Sequence, residues 1–585
     1  MKLTGLLFAA ALLGTCTQPA AEENYTRHVD PKIGTGGHGH VFVGANVPFG
    51  LVQVGPTSIP QTWDWCSGYH ASDSTVIGFS HTHLSGSGIG DLFDVTVMPV
   101  TGEVTYARGT EDDPTSGLWS YADRTQEIAR PGYYSVPLTR YGIRAELTAT
   151  ARVGLHRYTF PASEKAAVVF DLENGGCWDK ATETHLAKEG DRTVTGWRHS
   201  TGWAKDQRVY FAAEFSKPFE KFETIGDNYA RASFRTTDGE QVSLKVALSP
   251  VSVEGARENL AAELPGWDFE ETAKAADKAW NDELSKVKIE TEDETSKRIF
   301  YTALYHTMVA PSLFCDVNGD YYGSDHAIHR NADFTNYTTF SLWDTYRAAM
   351  PLMTVLHPEK MADIVQTMLT ISDEQGRLPV WHLWGNETDC MVGNPGIPVV
   401  ADAIVKGIGG FDREKAFEAI RKTAMNPDRG NGLRMEYGYI PCEMFNEAVA
   451  YDMEYALADG AAARAAETLG KAEDAKYFEE RSHSYRNYFD PATRFMRGRD
   501  SRKGWRTPFN AFASTHRADD YCEGNAWQYT WLAPHDVKGL EGLFGSRAKM
   551  IEKLDSLFTV SSVIEGGETS PDISGLIGQY AHGNE

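Results

Sequence analysis

The segment Phe269-Glu-Glu-Thr-Ala-Lys-Ala-Ala-Asp-Lys-Ala-Trp280 decides the fold, because the pattern of the chain changes there. Its alanines and charged residues, with an aromatic residue at each end, have the composition and the period of an amphipathic helix. We predict that residues 266–292 form linker helices. They would join an N-terminal domain, residues 23–265, to a C-terminal domain, residues 293–585.

Upstream of this segment the chain is predicted to be β-structure. Short runs of alternating or β-branched residues lie between turns, and such runs at close spacing favour a β-sandwich. The first 100 residues are rich in glycine and in long polar loops, which often carry function. The clearest strand patterns occupy residues 136–141, 144–150, 167–172, 209–215 and 242–248.

Downstream of the segment the chain is predicted to be helical. The loops between the helical patterns are rich in Trp, Gly, Asn and Asp, and no strong strand pattern returns. A β-sandwich followed by many helices fits a sandwich joined to an (α/α)6 toroid, in which loops at one end of the helix pairs build a pocket. The helical patterns occupy residues 295–309, 341–356, 358–371, 413–426, 446–470, 472–489 and 541–559.

Length and charge narrow the class of protein. A chain of 585 residues exceeds one ordinary domain and predicts two or more cores. The net charge of −25, from 56 basic and 81 acidic residues, argues against a nucleic-acid partner, because phosphate binding needs a basic face. An acidic surface fits an enzyme of neutral substrates, and it also suits a hard cation such as calcium.

The N-terminus predicts export. Lys2, an apolar run over residues 6–13 and small residues after it are typical of a secretory signal, which we place at residues 1–22. The run is too short to span a bilayer. Cys16 follows Leu-Gly-Thr and resembles a bacterial lipoprotein cleavage site; ordinary signal cleavage is the alternative. We therefore expect a bacterial protein of the periplasm or the outer cell surface, held to a membrane only through a lipid anchor.

Glu523 is the candidate proton donor. It lies in Tyr521-Cys-Glu-Gly-Asn-Ala-Trp-Gln-Tyr-Thr-Trp531, where aromatic neighbours can desolvate its carboxyl group. Desolvation raises the pKa of a carboxyl group and keeps it protonated near neutral pH, as a glycosidase acid requires. The alternative is a glutamate in the first turn of a helix, favoured there by the helix dipole.

Candidate substrate-binding residues lie in aromatic, polar loops. Trp384, Asn386 and Glu387 follow one another in Trp381-His-Leu-Trp-Gly-Asn-Glu-Thr, and Trp65 lies in a second such loop, Trp63-Asp-Trp-Cys-Ser-Gly-Tyr. Tryptophan faces stack on sugars, while amides and carboxylates bind hydroxyls. An aromatic core stripe is the alternative for the two tryptophans of the first loop. Asp344, at a loop-to-helix transition, is open to three interpretations: a cap, a partner of Arg347, or a substrate ligand.

Two further segments resemble metal motifs without matching them. The His-x-His pairs at residues 38–40 and 81–83 lack a carboxylate or cysteine at a standard zinc spacing, and they fit loops of an interdomain pocket better. The run from Asp316 to Asp325 resembles an EF-hand. However, Tyr321 takes the position of the required glycine and Ala327 that of the required glutamate. We interpret this run as a structural or sugar-contacting loop.

Taken together, these segments resemble glycoside hydrolase family 92, the calcium-dependent exo-α-mannosidases. The resemblance runs from the mature N-terminus to Glu585. It rests on Asp30-Pro-Lys-Ile-Gly-Thr-Gly-Gly-His-Gly-His40, Val47-Pro-Phe-Gly50, Trp65-Cys-Ser-Gly-Tyr69, Gly78-Phe-Ser-His-Thr-His-Leu-Ser-Gly86, Leu342-Trp-Asp-Thr-Tyr-Arg347, Leu383-Trp-Gly-Asn-Glu-Thr388, Glu523-Gly-Asn-Ala-Trp-Gln-Tyr529 and Gly578-Gln-Tyr-Ala-His-Gly-Asn-Glu585.

The resemblance implies a β-sandwich on an (α/α)6 toroid with the active site between them. It implies inverting removal of terminal α-mannose, commonly α1,2-linked, from oligosaccharides or glycoprotein glycans. Glu523 corresponds to the family acid, and Asn584 and Glu585 are the expected calcium ligands. Calcium would contact mannose hydroxyls and help to distort the ring.

The sequence departs from the family pattern at the general base. In the family this base is an aspartate in a Gly-Asp-Glu-Asp-Asn-Gly type of segment after His-Gly-Asn-Glu, and residues 1–585 contain no such segment. Asp536 and Asp572 lie late in the chain but in other contexts. We expect a toroid that is incomplete at its C-terminus. An inactive mannoside-binding protein without a base is the alternative function. A phosphorylase would need clustered basic phosphate ligands, which the candidate loops do not show.

Overall fold

The computed structural model describes residues 23–583, except residues 114, 176 and 568 and the side chains of residues 582 and 583. The predicted signal segment with Cys16, and the predicted calcium ligands Asn584 and Glu585, lie outside the described residues.

The N-terminal part is built from strands. In chain order they are β1 Gly55–Thr57, β2 Thr75–Val76, β3 Gly78–Ser80, β4 Thr96–Thr101, β5 Ser120–Tyr121, β6 Ile128–Arg130, β7 Tyr133–Leu138, β8 Ile143–Ala149, β9 Val153–Phe160, β10 Ser163–Asp171, β11 Lys180–Glu189, β12 Thr193–Thr201, β13 Gln207–Phe215, β14 Lys221–Ile225, β15 Tyr229–Thr236 and β16 Glu240–Ser249.

Two antiparallel sheets share one core. The six-stranded sheet has the order β1-β3-β4-β10-β15-β14, and the eight-stranded sheet has the order β11-β12-β13-β16-β9-β8-β7-β6. Alternate residues of β8 and β13 are buried, which is the period expected of strands with one face on a core. Phe170 of one sheet stacks on Phe211 of the other, with 6.0 Å between ring centroids. The predicted β-rich N-terminal domain is confirmed, and the five predicted strand segments overlap β7, β8, β10, β13 and β16.

Two helices follow the last strand. Helix α1, Val253–Glu263, begins at Ser252, whose hydroxyl accepts a hydrogen bond from the Gly255 amide. Helix α2, Phe269–Leu284, lies inside the predicted linker and buries one stripe of residues that includes Trp280. The indole of Trp280 donates to the carbonyl of Asn46 over 2.7 Å and so ties α2 to the N-terminal domain.

The C-terminal part is helical, as predicted. Its helices are α3 Glu294–His306, α4 Leu342–Thr345, α5 Ala349–Leu356, α6 Pro358–Gln375, α7 Gly396–Val405, α8 Arg413–Ala424, α9 Asn431–Tyr437, α10 Ala448–Thr468, α11 Ala472–Arg481, α12 Ala526–Tyr529, α13 Val537–Phe544 and α14 Arg547–Thr559. Helix α10 is buried on most of its surface. Closure of these helices into an (α/α)6 toroid stays a prediction, as do the exact domain boundaries.

Short strands interrupt the helices, although the sequence shows no strong strand pattern there. They pair mostly as two-stranded hairpins within the long loops. They are β17 Ser312–Leu313, β18 Tyr321–Tyr322, β19 Ile328–His329, β20 Tyr337–Thr338, β21 Phe340–Ser341, β22 Trp381–Leu383, β23 Asn386–Glu387, β24 Phe489–Asp490, β25 Phe495–Met496, β26 Ser574–Ile577 and β27 Tyr580–Gly583.

The two domains meet over a continuous apolar core. Phe314, Trp381 and Trp384 of the helical domain belong to the same buried cluster as the sandwich core. Trp203 of the sandwich packs edge-on against Trp381, with 4.5 Å between ring centroids. The long loops of both domains are therefore gathered at this junction. Within the described part of the chain, the helices all fall short of the length and hydropathy that a bilayer crossing demands.

Candidate active site

The candidate acid lies on a strained loop. Glu523 has a φ of 45°, in the left-handed region that a residue with a side chain adopts only when its surroundings hold it there. The hydroxyl of Tyr529 donates to the carbonyl of Cys522 over 2.7 Å, and that of Tyr521 donates to the carbonyl of Met496 over 2.7 Å. Two buried tyrosines thus fix the backbone that presents the Glu523 carboxyl group.

Glu523 precedes the following helix instead of lying in its first turn. Asn525 is the cap of α12, and its side chain and that of Gln528 bond reciprocally to the backbone in a capping box. The helix-dipole alternative for Glu523 is therefore wrong, because the carboxylate stands two residues before the cap.

Gln579 joins the acid loop to the C-terminal hairpin of β26 and β27. Its side-chain oxygen accepts from the Asn525 amide over 2.9 Å, and its backbone carbonyl accepts from the Gln528 amide over 2.6 Å. Gln579 has no exposed surface, and its own amide donates to the carbonyls of Ser561 and Val563. The strand that leads to Asn584 and Glu585 is thereby fixed against the loop of the candidate acid.

Further carboxylates surround the acid loop. Burial raises the pKa of the Cys522 thiol, and the charges of Glu447 and Glu523 raise it further, so both carboxylates lie close to this buried residue. Burial also raises the pKa of Glu447. The pKa of Asp519 is raised to about 6, because burial outweighs the amide hydrogen bonds of Tyr521 and Thr515 to its carboxylate.

Asp344 is presented by a motif that is anchored from behind. The Trp343 indole and the Tyr346 hydroxyl donate to Glu454 over 3.0 and 2.7 Å, and Arg347 pairs with the same carboxylate at 2.5 Å. Glu454 is buried in α10, so three side chains of α4 and its C-terminal flank converge on one fixed charge. Asp344 lies between them in sequence and faces the other way, where it is exposed.

The Asp344 carboxyl group lines a cavity of about 230 Å³ between the two domains. The walls hold the group away from bulk water although its surface is open to the cavity. Burial therefore raises the pKa of Asp344, and Asp572 and Glu454 add to the rise, whereas Ser341 and Arg347 lower it. The remaining lining residues are Ser85, Gly86, Ser87, His306, Thr307, Ala310, Pro311, Thr339, Ser341, Thr345, Ala349, Met350, Met353 and Trp381.

The sandwich contributes the loops that oppose Asp344. His38 contacts Asp64 at 2.8 Å, and Trp63 packs edge-on against the buried His40 ring with centroids 4.2 Å apart. The charge of Asp572 influences the pKa of both His40 and Asp344, which places the loop of residue 572 between the two domains.

Trp65 lies beside these loops and is half-buried. Its indole donates to Asp73 over 2.8 Å, and its ring stacks on His70 with 4.3 Å between centroids. The His81 and His83 side chains are instead buried in the sandwich, bonded to the carbonyls of Val95 and Gln53. Of the loops chosen from the sequence, the one with Trp65 therefore lies at the rim of the cavity, whereas His81 and His83 belong to the core of the sandwich.

The predicted residues of the β22–β23 hairpin lie at the domain junction. Trp384 is only 2% exposed and packs on Phe314. The Asn386 amide pairs with the backbone N–H and carbonyl of Asp206, each over 2.9 Å. The Glu387 carboxylate accepts from the amides of Val380 and Trp381 over 2.8 and 2.9 Å. The Asn386 side chain thus joins the two domains, and the Glu387 side chain closes the hairpin. Direct contact of these residues with substrate stays a prediction.

Sequence reasoning missed Glu454, and it quoted Gln579 and Trp381 only within longer motifs, without a role of their own. Glu454 and Gln579 act over long sequence separations, so no local pattern shows what they bind. Trp381 was quoted with its hairpin, but the alternation of faces along β22 signals that it and Trp384 need not share a pocket.

Comparison with known proteins defines the family. Residues 28–249 match the glycosyl hydrolase family 92 N-terminal domain, and residues 255–585 match the glycosyl hydrolase family 92 catalytic domain. The chain belongs to glycosyl hydrolase family 92. The resemblance seen in the sequence is confirmed, and the protein is a glycoside hydrolase.

Solved structures of family 92 share this fold. An α-mannosidase from Bacteroides thetaiotaomicron, solved in complex with mannoimidazole, is similar at a TM-score of 0.92 and 39% identity over 96% of this chain and 77% of its own. An inverting mannosidase from the same organism is similar at a TM-score of 0.82 and 29% identity, over 92% of this chain and 74% of its own.

A relative from a second organism extends the comparison. An uncharacterized secreted glycosidase from Arthroderma benhamiae is 26% identical over 626 residues, which cover 94% of this chain and 76% of its own.

Proposed function

We propose that this family 92 enzyme removes terminal α-linked mannose from oligosaccharides or glycoprotein glycans. It would act from the chain end, on α1,2 linkages, with inversion and with calcium. Two structural relatives, an α-mannosidase with bound mannoimidazole and an inverting mannosidase, support this substrate and this stereochemistry.

One observation carries the proposal. The acid loop of Glu523 and the hairpin that leads to residues 584–585 are held together by both ends of Gln579. A proton donor and the expected cation ligands would therefore belong to one rigid unit, as catalysis on a cation-bound sugar requires.

Glu523 would protonate the glycosidic oxygen as it departs. Its strained backbone presents the carboxyl group without the loss of rotational freedom that a mobile loop would incur. Asp344, open to the interdomain cavity, would accept hydrogen bonds from sugar hydroxyls. In an inverting reaction the base stands on the opposite ring face, with about 6.5–9.5 Å between the two carboxyl groups to admit water.

Calcium fits the donor chemistry of the expected ligands. Asn584 and Glu585 offer an amide oxygen and a carboxylate, and hard oxygen donors suit calcium. When bound, calcium would hold mannose hydroxyls and favour a distorted ring. Mannose release measured before and after thorough chelation tests the requirement for calcium. Activity that is unchanged by chelation would contradict it.

Replacement of the acid tests the proposal directly. Glu523→Gln should lower kcat/KM on an α1,2-mannobioside by about 10²–10⁴-fold, the usual contribution of a general acid. The same variant should retain most activity on a dinitrophenyl α-mannoside, because that leaving group needs no proton. Glu447→Gln is the matched control, since Glu447 also flanks Cys522 and also has a left-handed φ, of 55°. Equal losses on both substrates, or wild-type activity, would contradict the assignment.

A mannoside-binding protein without turnover is the second candidate. It would hold its sugar in the interdomain cavity that Asp344 lines. Calorimetric binding of mannoimidazole, together with no release of mannose by the wild-type chain, would support this candidate and contradict the hydrolase.

We also infer export and lipid anchoring at Cys16. The relative from Arthroderma benhamiae is described as secreted, which supports export. Cys16→Ser should move the protein from the membrane fraction to the soluble fraction of the producing bacterium, and an unchanged distribution would contradict the anchor.

A further inference from the structure

The run that resembles an EF-hand contributes to a different cluster. Asp325 from its end, His329 from β19 and Glu374 from the last turn of α6 bring one ligating atom each within 4.8 Å of the others. Asp316 and Asp320 of the same run are engaged elsewhere, with Asn259 and with Arg330. The acidic residues of this run therefore do not converge on one site of their own.

The distances within the cluster are also those expected of ligands around a single metal ion. His329 Nε2 lies 3.1 and 3.2 Å from the two oxygens of Asp325 and 3.3 Å from Oε1 of Glu374. An imidazole nitrogen carries at most one proton and cannot donate to three oxygens at once. Ligands about 2.0–2.1 Å from a tetrahedral zinc ion are about 3.3 Å apart, close to these separations.

The ligands are held in place by neighbouring groups. The Tyr321 hydroxyl and the Ser324 amide donate to Glu374 over 3.0 and 2.7 Å, and the Tyr321 ring stacks on His329 with 4.9 Å between centroids. A Cβ on Gly323 would lie 2.7 Å from both Asp325 Oδ1 and His329 Nε2, so only glycine leaves the ligands room. Hydrogen-bonded, oriented ligands of this kind are typical of metal sites.

The local charge also favours a cation. In the part of the chain that the structure describes, His329 is the only side chain that forms an ion pair with Asp325 or Glu374. Glu374 stands in the last turn of α6, where the helix dipole attracts positive charge.

We propose that Asp325, His329 and Glu374 bind one zinc-class divalent ion. A neutral imidazole and two carboxylates are a ligand set that suits zinc, whereas calcium takes six to eight oxygens. The Asp325 and His329 side chains are about one-third exposed, which leaves the fourth position open to water, whereas Glu374 is buried. This site uses none of the expected calcium ligands and does not depend on the proposed function.

The ion would pin the β18–β19 hairpin to the end of α6. Tyr322 of this hairpin donates to Asp206 of the sandwich over 2.9 Å, and Ser324 contacts His382 of β22 at 2.9 Å. The site therefore lies behind the hairpin that carries Trp381, and it would act on stability and not on the chemistry.

Zinc binding to the complete chain tests the proposal. The protein is stripped with a chelator, dialysed, and equilibrated with zinc in the presence of excess calcium, and bound zinc is measured by elemental analysis. Wild type should hold one equivalent more than His329→Gln and Glu374→Gln, with affinity at least about tenfold higher. His326→Asn is the matched control, because His326 lies on the same hairpin but outside the cluster and has a φ of 60° that asparagine tolerates.

Several results would overturn the site. They are equal zinc in wild type and His329→Gln, loss of zinc in the control variant, and displacement of the zinc by calcium. If both ligand variants fail to fold, cobalt replaces zinc in the wild type. Visible absorption typical of four-coordinate cobalt, abolished by zinc, supports the site, and its absence contradicts it.

Discussion

Glu454 shows how one buried side chain can position several others. Its two oxygens accept from Trp343, Tyr346 and Arg347, and Gly393 leaves room for its methylene groups, since a Cβ there would lie 2.4 Å from Glu454 Cβ. The orientation of Asp344 towards the cavity therefore depends on a residue more than 100 positions later in the chain.

Removal of this carboxylate should cost stability. Glu454→Ala leaves a buried indole N–H and a buried hydroxyl without an acceptor, so we expect the free energy of unfolding to fall by about 3 kcal/mol. The half-open Arg347 adds little, because water can solvate it. Urea denaturation followed by circular dichroism measures the change.

Glu467→Ala, on the exposed face of the same helix, is the control and should stay within about 0.5 kcal/mol of wild type. Similar losses in the two variants would show that Glu454 has no special anchoring role.

Residue-scale prediction was possible where the chemistry is local, and the roles of the residues chosen in this way stay predictions. Glu523 stands among aromatic residues that the sequence shows directly, and Asp344 stands in a short motif. Glu454 is a glutamate within a helix and Gln579 a glutamine within a turn, and only the fold brings their partners to them. The sequence could not distinguish them from other residues of the same type.

At the scale of the elements, α14 carries a lysine in an unusual place. Lys553 is 8% exposed, and its ammonium lies 3.4 Å from the ring centroid of Phe495 and 4.1 Å from that of Trp527. Burial lowers the pKa of Lys553 to about 8, with Arg494 adding to the effect. The cation–π attraction of the two rings opposes this shift.

The shift predicts a pH dependence of stability. The unfolded lysine has a pKa of about 10.4, so between pH 8 and that value the folded protein binds fewer protons than the unfolded chain. Stability should therefore rise with pH across this window, by at most about 1.4 kcal/mol per pH unit. Below pH 8 the lysine is protonated in both the folded and the unfolded chain, so it no longer makes stability depend on pH.

Lys553→Met should remove the rise. Denaturation of wild type and variant from pH 7.5 to 10 gives the free energy of unfolding of each protein at each pH. As the pH rises, this free energy should increase for wild type relative to the variant. Lys549→Met, exposed on the same helix, should track wild type. A difference that stays flat, or that falls with pH, would contradict the lowered pKa.

Element types were predictable where the pattern was long. Helix α6 begins at Pro358, and α2 buries one stripe of residues, as the helical patterns of the sequence predict. The predicted helix over residues 541–559 is instead two helices, because Gly545 takes a left-handed φ of 80° and ends α13. Helix α7 was missed because its Gly-Ile-Pro-Val-Val start has low helix propensity and is stabilised by burial.

At the scale of the whole molecule, the junction between the domains is specific and closely packed. The side-chain amide of Asn386 bonds to both the backbone N–H and the backbone carbonyl of Asp206, as a neighbouring strand would. The Trp203–Trp381 contact lies beside it. The order of the two domains followed from composition and period, but their mutual orientation did not. That orientation depends on side-chain pairs whose partners are about 180 residues apart.

Asn386→Ala should weaken this junction. It leaves the N–H and the carbonyl of Asp206 without partners, so we expect a loss of about 1–3 kcal/mol and a melting temperature a few degrees lower. Differential scanning calorimetry measures the shift. Asn446→Ala, at an exposed residue with a single hydrogen bond, is the control. A variant that melts with wild type would show that the amide pairing does not hold the domains.

The hydrogen bonds of Gln579 to the acid loop also have a consequence for the order in which the chain folds during synthesis. Asn525 meets its partner 54 residues later, and Gln528 meets it 51 residues later. While residues 521–528 leave the ribosome, Gln579 has not yet been made, so the nascent loop has only its bonds to earlier and neighbouring residues. The loop of the candidate acid is therefore joined to the C-terminal hairpin only late in biogenesis.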